Sequence, residues 1–146
     1  MRRYLLDTTP LAAYLFGRPA AVSLVDPLID RHEAATSIFA YGEVIEYLMG
    51  RSRFPDRQTQ LRQLLREITP LFPSYSVLDQ YALLRRSLRP PHGPGLIGDI
   101  DGLIAATALE RGLTVVTTDR DFTRVSGLSV LLLDRQTFAP VVDRTS

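Results

Sequence analysis

The residues able to do chemistry in this chain are carboxylates set in apolar company. Asp99 and Asp101 stand one residue apart at the head of Gly98-Asp99-Ile100-Asp101-Gly102-Leu103-Ile104-Ala105-Ala106-Thr107-Ala108-Leu109. Beyond Gly102 this run has no glycine or proline until Gly112, and it reads as a helix. A helix start needs acceptors for its first-turn amides, and Asp99 is placed to be that N-cap. Asp101 then has no capping duty, so a positive partner is the better account of it. Asp7 directly follows Tyr4-Leu5-Leu6, and Asp119 and Asp121 flank Arg120 just past Leu113-Thr114-Val115-Val116-Thr117. Taken singly, Asp7 reads as support for a turn over Thr8-Thr9-Pro10, and Asp119 and Asp121 as a turn with a local ion pair. Glu43 is harder to dismiss, because it is the only charge in Ile38-Phe39-Ala40-Tyr41-Gly42-Glu43-Val44-Ile45. Phe39, Glu43 and Tyr47 share one helical face, and a carboxylate turned inward is costly unless paired or bound to a metal. Gly42 beside it leaves room for close approach of a backbone or a ligand.

Acids gathered at one place repel one another, which raises their pKa values and costs stability unless a cation offsets them. The chain has no cysteine, and His32 and His92 lie in polar or loop contexts without a second histidine at ligand spacing. All-oxygen ligation selects a hard cation, Mg²⁺ or Mn²⁺. Such an ion activates a water and stabilises charge on a phosphate. All 17 basic residues are arginine, which removes mechanisms needing a lysine and leaves guanidinium forks suited to phosphate. Arg120 and the group Arg85, Arg86 and Arg89 are candidates for contacts to backbone phosphates, with an ordinary solvated helix face as the equal alternative.

The elements that must position these acids follow in order. Tyr4–Leu6 reads as a buried strand; Thr9 is placed as an N-cap with Pro10 at the first helical position, and the helix stops at Gly17. A second helix spans Ala20 to Arg31, weakened by Pro27. Ala34–Thr36 is a short strand, and Ser37 caps a long helix over Ile38 to about Met49. Arg53 to Pro55 is a break, after which Leu61, Leu64, Leu65 and Ile68 repeat at helical spacing. Thr69 to Tyr75, with Pro70 and Pro73, reads as an extended segment at a sheet edge. Leu78, Tyr81, Ala82 and Leu88 make an amphipathic helix; Pro90 to Gly95 is a loop; Gly112 ends the helix that Asp99 opens. Leu113–Thr117 and Val130–Leu133 are the last strands. Continuous apolar strands separated by helices indicate a parallel sheet covered on both faces, with ligands beyond the carboxyl ends of the strands. Asp7, Asp101 and Asp119 are then able to meet at one sheet edge.

The bulk properties agree with this. A chain of 146 residues that is 45% hydrophobic and 23% charged, with net charge +1, is one ordinary globular domain. We place the domain at residues 1–140 and a polar tail at 141–146. No apolar run spans a bilayer, the N-terminus does not read as a signal peptide, and the lack of cysteine is compatible with a cytoplasmic protein.

With these residues assembled, the chain resembles the PIN-domain ribonucleases, in particular VapC-type toxins of prokaryotic toxin–antitoxin pairs. The likeness rests on Leu5-Leu6-Asp7-Thr8, Ser37 through Glu43, Asp101-Gly102-Leu103-Ile104-Ala105-Ala106 and Val116-Thr117-Thr118-Asp119-Arg120-Asp121-Phe122, in the family's order. The specific part is the aspartate before Leu-Ile-Ala-Ala with Thr-x-Asp-x-Asp-Phe soon after. Thr9-Pro10 and Tyr47 depart from the family's usual residues. The resemblance implies a three-layer α/β/α PIN-like domain with a five-stranded parallel sheet. It makes Asp7, Glu43, Asp101 and Asp119 the catalytic metal-binding acids, with Asp99 and Asp121 as additional metal candidates. It makes Thr117 a hydroxyl that holds a water or a carboxylate near the substrate.

The activity so implied is Mg²⁺- or Mn²⁺-dependent endonucleolytic cleavage of RNA, easiest on single-stranded or looped substrates. The resemblance also implies a cognate antitoxin that covers the site and a homodimer, for which the region Phe54 to Leu88 is our candidate surface. Three other readings stand beside it. A receiver-like signalling module also carries an acidic pocket at a sheet edge, but its machinery uses a lysine that this chain lacks. A catalytically inactive PIN domain would bind RNA without cutting it. The same acids would also serve a DNA nuclease.

Overall fold

The structure, a computed structural model, describes residues 1–139. The polar tail expected over 141–146 lies outside the described residues. Among the described residues there are five strands and seven α-helices. Their order is β1 (Tyr4–Leu6), α1 (Thr8–Leu15), α2 (Pro19–Asp30), β2 (Ala34–Ser37), α3 (Ile38–Met49), α4 (Phe54–Leu64), β3 (Thr69–Leu71), α5 (Tyr75–Leu88), α6 (Asp99–Arg111), β4 (Thr114–Thr117), β5 (Val130–Leu132) and α7 (Arg135–Phe138). A single 3₁₀ turn, Arg120–Arg124, lies between β4 and β5.

All strand pairs are parallel, in the order β3-β2-β1-β4-β5. Leu5 and Leu6 of β1, Ala35 and Thr36 of β2 and Val115 and Val116 of β4 are all buried, although adjacent residues in a strand face opposite sides. Both sheet faces are therefore covered, as the unbroken apolar strands required. The edge position of β3 explains its proline: Pro70 has no N–H to donate and sits where one ladder is absent. From β1 the chain steps to β2 and β3 on one side and returns to β4 and β5 on the other. The point of reversal lies between β1 and β4, where Leu6 stands in register with Val116. A doubly wound sheet opens its ligand crevice at such a reversal, beyond the carboxyl ends of the strands.

Several local expectations are met. Ser37 caps α3, its hydroxyl accepting from the Phe39 N–H, and Gly112 ends α6 in the left-handed conformation at φ 66°. Others need correction. Asp7, rather than Thr9, holds the N-cap position of α1, so Pro10 is the third helical residue. Gly98 holds that position in α6, and Asp99 and Asp101 are its first and third residues. Helix α2 runs straight through Pro27. The carbonyl that Pro27 leaves without an N–H belongs to Ser23, which is exposed and open to water. The presumed break at Arg53 to Pro55 is a helix start instead: Arg53 takes φ 62° and Pro55 occupies the second position of α4. That helix ends at Leu64, where tighter turns take over and deliver Ile68, fully buried, to the start of β3. No helix is long and apolar enough to cross a membrane among the described residues.

Candidate active site

The site grows from the last residue of β4. Thr117 is buried, and its hydroxyl sits between two acids that arrive from different elements. It donates to Asp7 Oδ2 at 2.7 Å and accepts the Asp119 backbone N–H at 3.0 Å. Asp7 is brought there by the sheet itself, since its N–H continues the β1–β4 ladder to the Val116 carbonyl at 2.9 Å. Asp119 is turned by its own capping role, its Oδ1 accepting the Asp121 N–H at 2.9 Å to start the 3₁₀ turn. Glu43, one helical turn into α3, is anchored by Thr8, whose Oγ1 donates to Glu43 Oε1 at 2.5 Å. It is half-buried beside the core stripe Ala40, Val44 and Leu48. Asp101 projects from the first turn of α6.

Asp7 is only 6% exposed, and its Oδ1 is buried with no hydrogen-bond partner. Burial drives its pKa above the ordinary aspartate value. Hydrogen bonds from Thr117 and the Thr8 backbone oppose that rise, and the negative charges of Glu43 and Asp119 add to it. Asp101 is pushed up to about 7, first by burial, then by the charges of Asp7, Asp119 and Glu43, and by a hydrogen bond with Asp119. The four acids thus share one field. Carboxylates in such a field either hold protons or need a cation.

Whether these residues fit a divalent ion is decided by their chemistry. The donors are oxygens, which hard cations take. An orphaned, buried carboxylate oxygen offers a lone pair that the protein itself leaves unused, a cost that a ligand would offset. The donor chemistry suits a hard divalent cation. The acids are grouped loosely: among the described residues no three Asp, Glu, His or Cys side chains are drawn together closely enough to hold an ion.

The remaining expected residues are placed differently. Asp99 is turned to the rim of α6, where its Oδ1 pairs with Arg85 Nη1 of α5 at 2.7 Å. Asp121 pairs with Arg124 at 3.3 Å. Neither is among the main charges that raise Asp7 or Asp101. Arg85 is therefore committed to Asp99, and it also lies over the Tyr81 ring. Arg86, Arg89 and Arg120 are exposed and form no ion pair among the described residues. His32 and His92 are exposed, as expected. A Cβ on Gly42 would meet nothing within 4 Å, so no protein group makes the close approach expected there. Close approaches occur instead at Gly102, where a Cβ would lie 3.0 Å from Tyr81 Cε1, and at Gly93, where one would lie 2.0 Å from the Ser87 carbonyl oxygen. Sequence reasoning missed Thr8, whose signal was only a hydroxyl directly after Asp7.

A family model described as PIN domain matches residues 4–128. No curated protein sequence matches the chain. Among solved structures, VapBC2 from Rickettsia felis bound to a promoter DNA fragment is 22% identical, with a TM-score of 0.78 over 90% of this chain and 98% of that one. DNA-bound VapBC from Salmonella typhimurium is 20% identical, with a TM-score of 0.79 over the same shares. FitAcB from Neisseria gonorrhoeae is 24% identical, with a TM-score of 0.69 over 88% of this chain and 96% of that one. At these identities the likeness carries the fold.

Proposed function

The chain belongs to the PIN domain family, and on that premise we propose that it is a metal-dependent endoribonuclease, the toxin of a VapBC-type pair, acting in the cytoplasm. Family membership sets the receiver-like reading aside. The observation that carries the proposal is the buried, unpartnered Asp7 Oδ1, with Glu43, Asp101 and Asp119 acting on the same space. Asp7, Glu43, Asp101 and Asp119 would hold the ion. A bound Mg²⁺ or Mn²⁺ supplies charge stabilisation at a phosphate and a water of lowered pKa. The chain's own residues do the rest. Thr117 donates to the Asp7 carboxylate and accepts the Asp119 backbone N–H, so both residues are anchored to the end of β4. Thr8 holds Glu43 in the same way. Without the ion the Asp101 carboxyl is pushed up to about 7, and a bound cation would hold it ionised as a ligand. Asp99 and Asp121, held by Arg85 and Arg124, serve the rim.

The test is cleavage of a fluorophore–quencher single-stranded RNA by the purified protein in Mg²⁺ or Mn²⁺. Chelator, Asp7→Asn or Asp101→Asn should each abolish it without unfolding the protein. Undiminished cleavage in chelator would end the metal mechanism. Binding without cleavage under either ion would favour an inactive RNA-binding domain, and preference for single-stranded DNA would move the substrate.

The partner proposals follow from the same reading. The three similar structures named above are described as VapBC or FitAcB, and another as a toxin–antitoxin complex from Klebsiella pneumoniae. We propose a cognate antitoxin, and a short open reading frame beside the gene encoding a DNA-binding protein is the first thing to look for. A homodimer through the Phe54 to Leu88 region is supported by exposed Phe72, Tyr75, Leu78 and Leu83. A monomer by light scattering at micromolar concentration would count against it.

A further inference from the structure

Beside the acids, the carboxyl ends of β4 and β5 leave a cleft of about 430 Å³ that shares only Asp119 with the catalytic cluster. It is lined by Thr118, Asp119, Arg120, Leu132, Leu133 and, from the start of α7, Asp134 and Arg135. We propose that this cleft is a nucleotide subsite, taking one nucleotide of a single-stranded RNA next to the phosphate held at the acids. The inference rests on the nuclease reading and extends it to a place and to named residues.

Four observations carry it. First, Asp119 belongs both to the acid cluster and to the cleft wall, so a strand with a phosphate at the cluster enters the cleft within one residue. Second, the volume lies within the range of small-ligand pockets, roughly 300–1,000 Å³, with room for one nucleotide. Third, the lining is divided as a nucleotide is divided. Leu132 and Leu133 offer an apolar surface to a base, and the Arg120 and Arg135 guanidiniums match a phosphate's bidentate geometry and also stack on bases. Among the described residues neither arginine forms an ion pair, whereas Arg85 and Arg124 are both spent on carboxylates, those of Asp99 and Asp121. Fourth, the cleft's far wall is tied in place. Arg18, from the junction of α1 and α2, donates through Nη2 to the Gln136 and Thr137 carbonyls at 3.2 and 2.8 Å. Asp134 is turned back on α7 as its cap, accepting from the Thr137 N–H and Oγ1. That fixes Asp134, still negatively charged, against α7, and leaves Arg135 exposed as the cation of that wall.

The experiment separates the subsite from the catalysis. On an Asp7→Asn background, which binds without cutting, fluorescence anisotropy reads affinity for a fluorescein-labelled single-stranded RNA of eight nucleotides across a salt series. Adding Arg120→Ala and Arg135→Ala should weaken binding at least tenfold and flatten the logarithmic salt slope by roughly 1.4, the value for two lost contacts on a single strand. Arg66→Ala with Arg111→Ala, exposed arginines preceding β3 and β4 at the opposite sheet edge, removes the same charge and should change affinity less than threefold. In the cleaving protein, Arg18→Ala should raise KM and leave kcat and the Mg²⁺-induced rise in Tm unchanged, as a residue that only positions Arg135 would. Equal losses from the two arginine pairs, or no loss from the cleft pair, would overturn the proposal. A wild type that cuts no RNA in either ion would refute the nuclease reading, and the anisotropy series would still decide the subsite.

Discussion

Asp7→Asn should make the metal-free protein more stable while removing its function. Asp7 is a buried carboxylate whose one oxygen has a partner and whose other has none, with three like charges acting on the same space. Asparagine keeps the useful half: its carbonyl oxygen can still accept from Thr117 Oγ1, where the aspartate accepts at 2.7 Å. Its amide replaces the orphaned oxygen with a donor among acceptors. Relieving a buried, unsatisfied charged oxygen is worth about 2 kcal/mol. For a chain of this size that is a rise of roughly 4–8 °C in Tm. Divalent ion should reverse the ranking, because a ligand that binds only the folded state stabilises by RT ln(1 + [L]/Kd), about 2.7 kcal/mol at one hundred times Kd. Only the protein with an intact Asp7 collects that gain. The assay is thermal unfolding of both proteins in chelator and in a Mg²⁺ and Mn²⁺ titration, beside RNA cleavage. Two results would refute the reasoning: an Asp7→Asn protein less stable than wild type in chelator, or one that gains as much from the ion.

Three further outcomes are expected. Because the folded pKa of Asp101 is raised to about 7, the folded state holds a proton between roughly pH 4 and 7 that the unfolded chain has released. Metal-free stability should therefore fall as pH rises through that window, by about 1 kcal/mol once solvent screening of this half-exposed group is allowed for. Asp101→Asn should flatten the Tm–pH curve, and an unaltered slope would count against it. Thr117→Val deprives Asp7 of a donor and the Asp119 N–H of an acceptor. It should cost about 1–3 kcal/mol in urea unfolding and lower cleavage, with Thr117→Ser restoring both. Asp99→Asn should lower stability by less than about 1 kcal/mol, its Arg85 partnership being solvent-exposed, and leave the Mg²⁺-induced Tm shift intact; loss of that shift would return Asp99 to the metal set.

Much of the architecture could be read from local signals because local physics sets it. A hydroxyl before an amphipathic run caps a helix, as Ser37 does, and a glycine after one closes it, as Gly112 does. A proline in a strand belongs at an edge, and Pro70 is there. Where several residues compete for a local role, the sequence ranks them poorly. Thr9 and Asp99 are good capping types, yet Asp7 and Gly98 hold those positions, and neither caps through a side chain. Helix α7 has little local signal: its cap pattern Asp134-Arg135-Gln136-Thr137 is short, and Arg18, 118 residues from Gln136, helps hold it.

The sequence by itself determined the parallel sheet, the acids at its edge and their order, because apolar runs, turn residues and a carboxylate with no local reason to be there are properties of neighbours along the chain. Only the tertiary structure decided which acids act together. Asp7 meets Thr117 across 110 residues and Thr8 meets Glu43 across 35, while Asp99, two residues from Asp101, is drawn off by Arg85. The reason is geometric. Carboxylates couple through a few ångströms of low-dielectric space, and that distance is set by strand order and register, where Leu6 faces Val116, rather than by spacing in the chain.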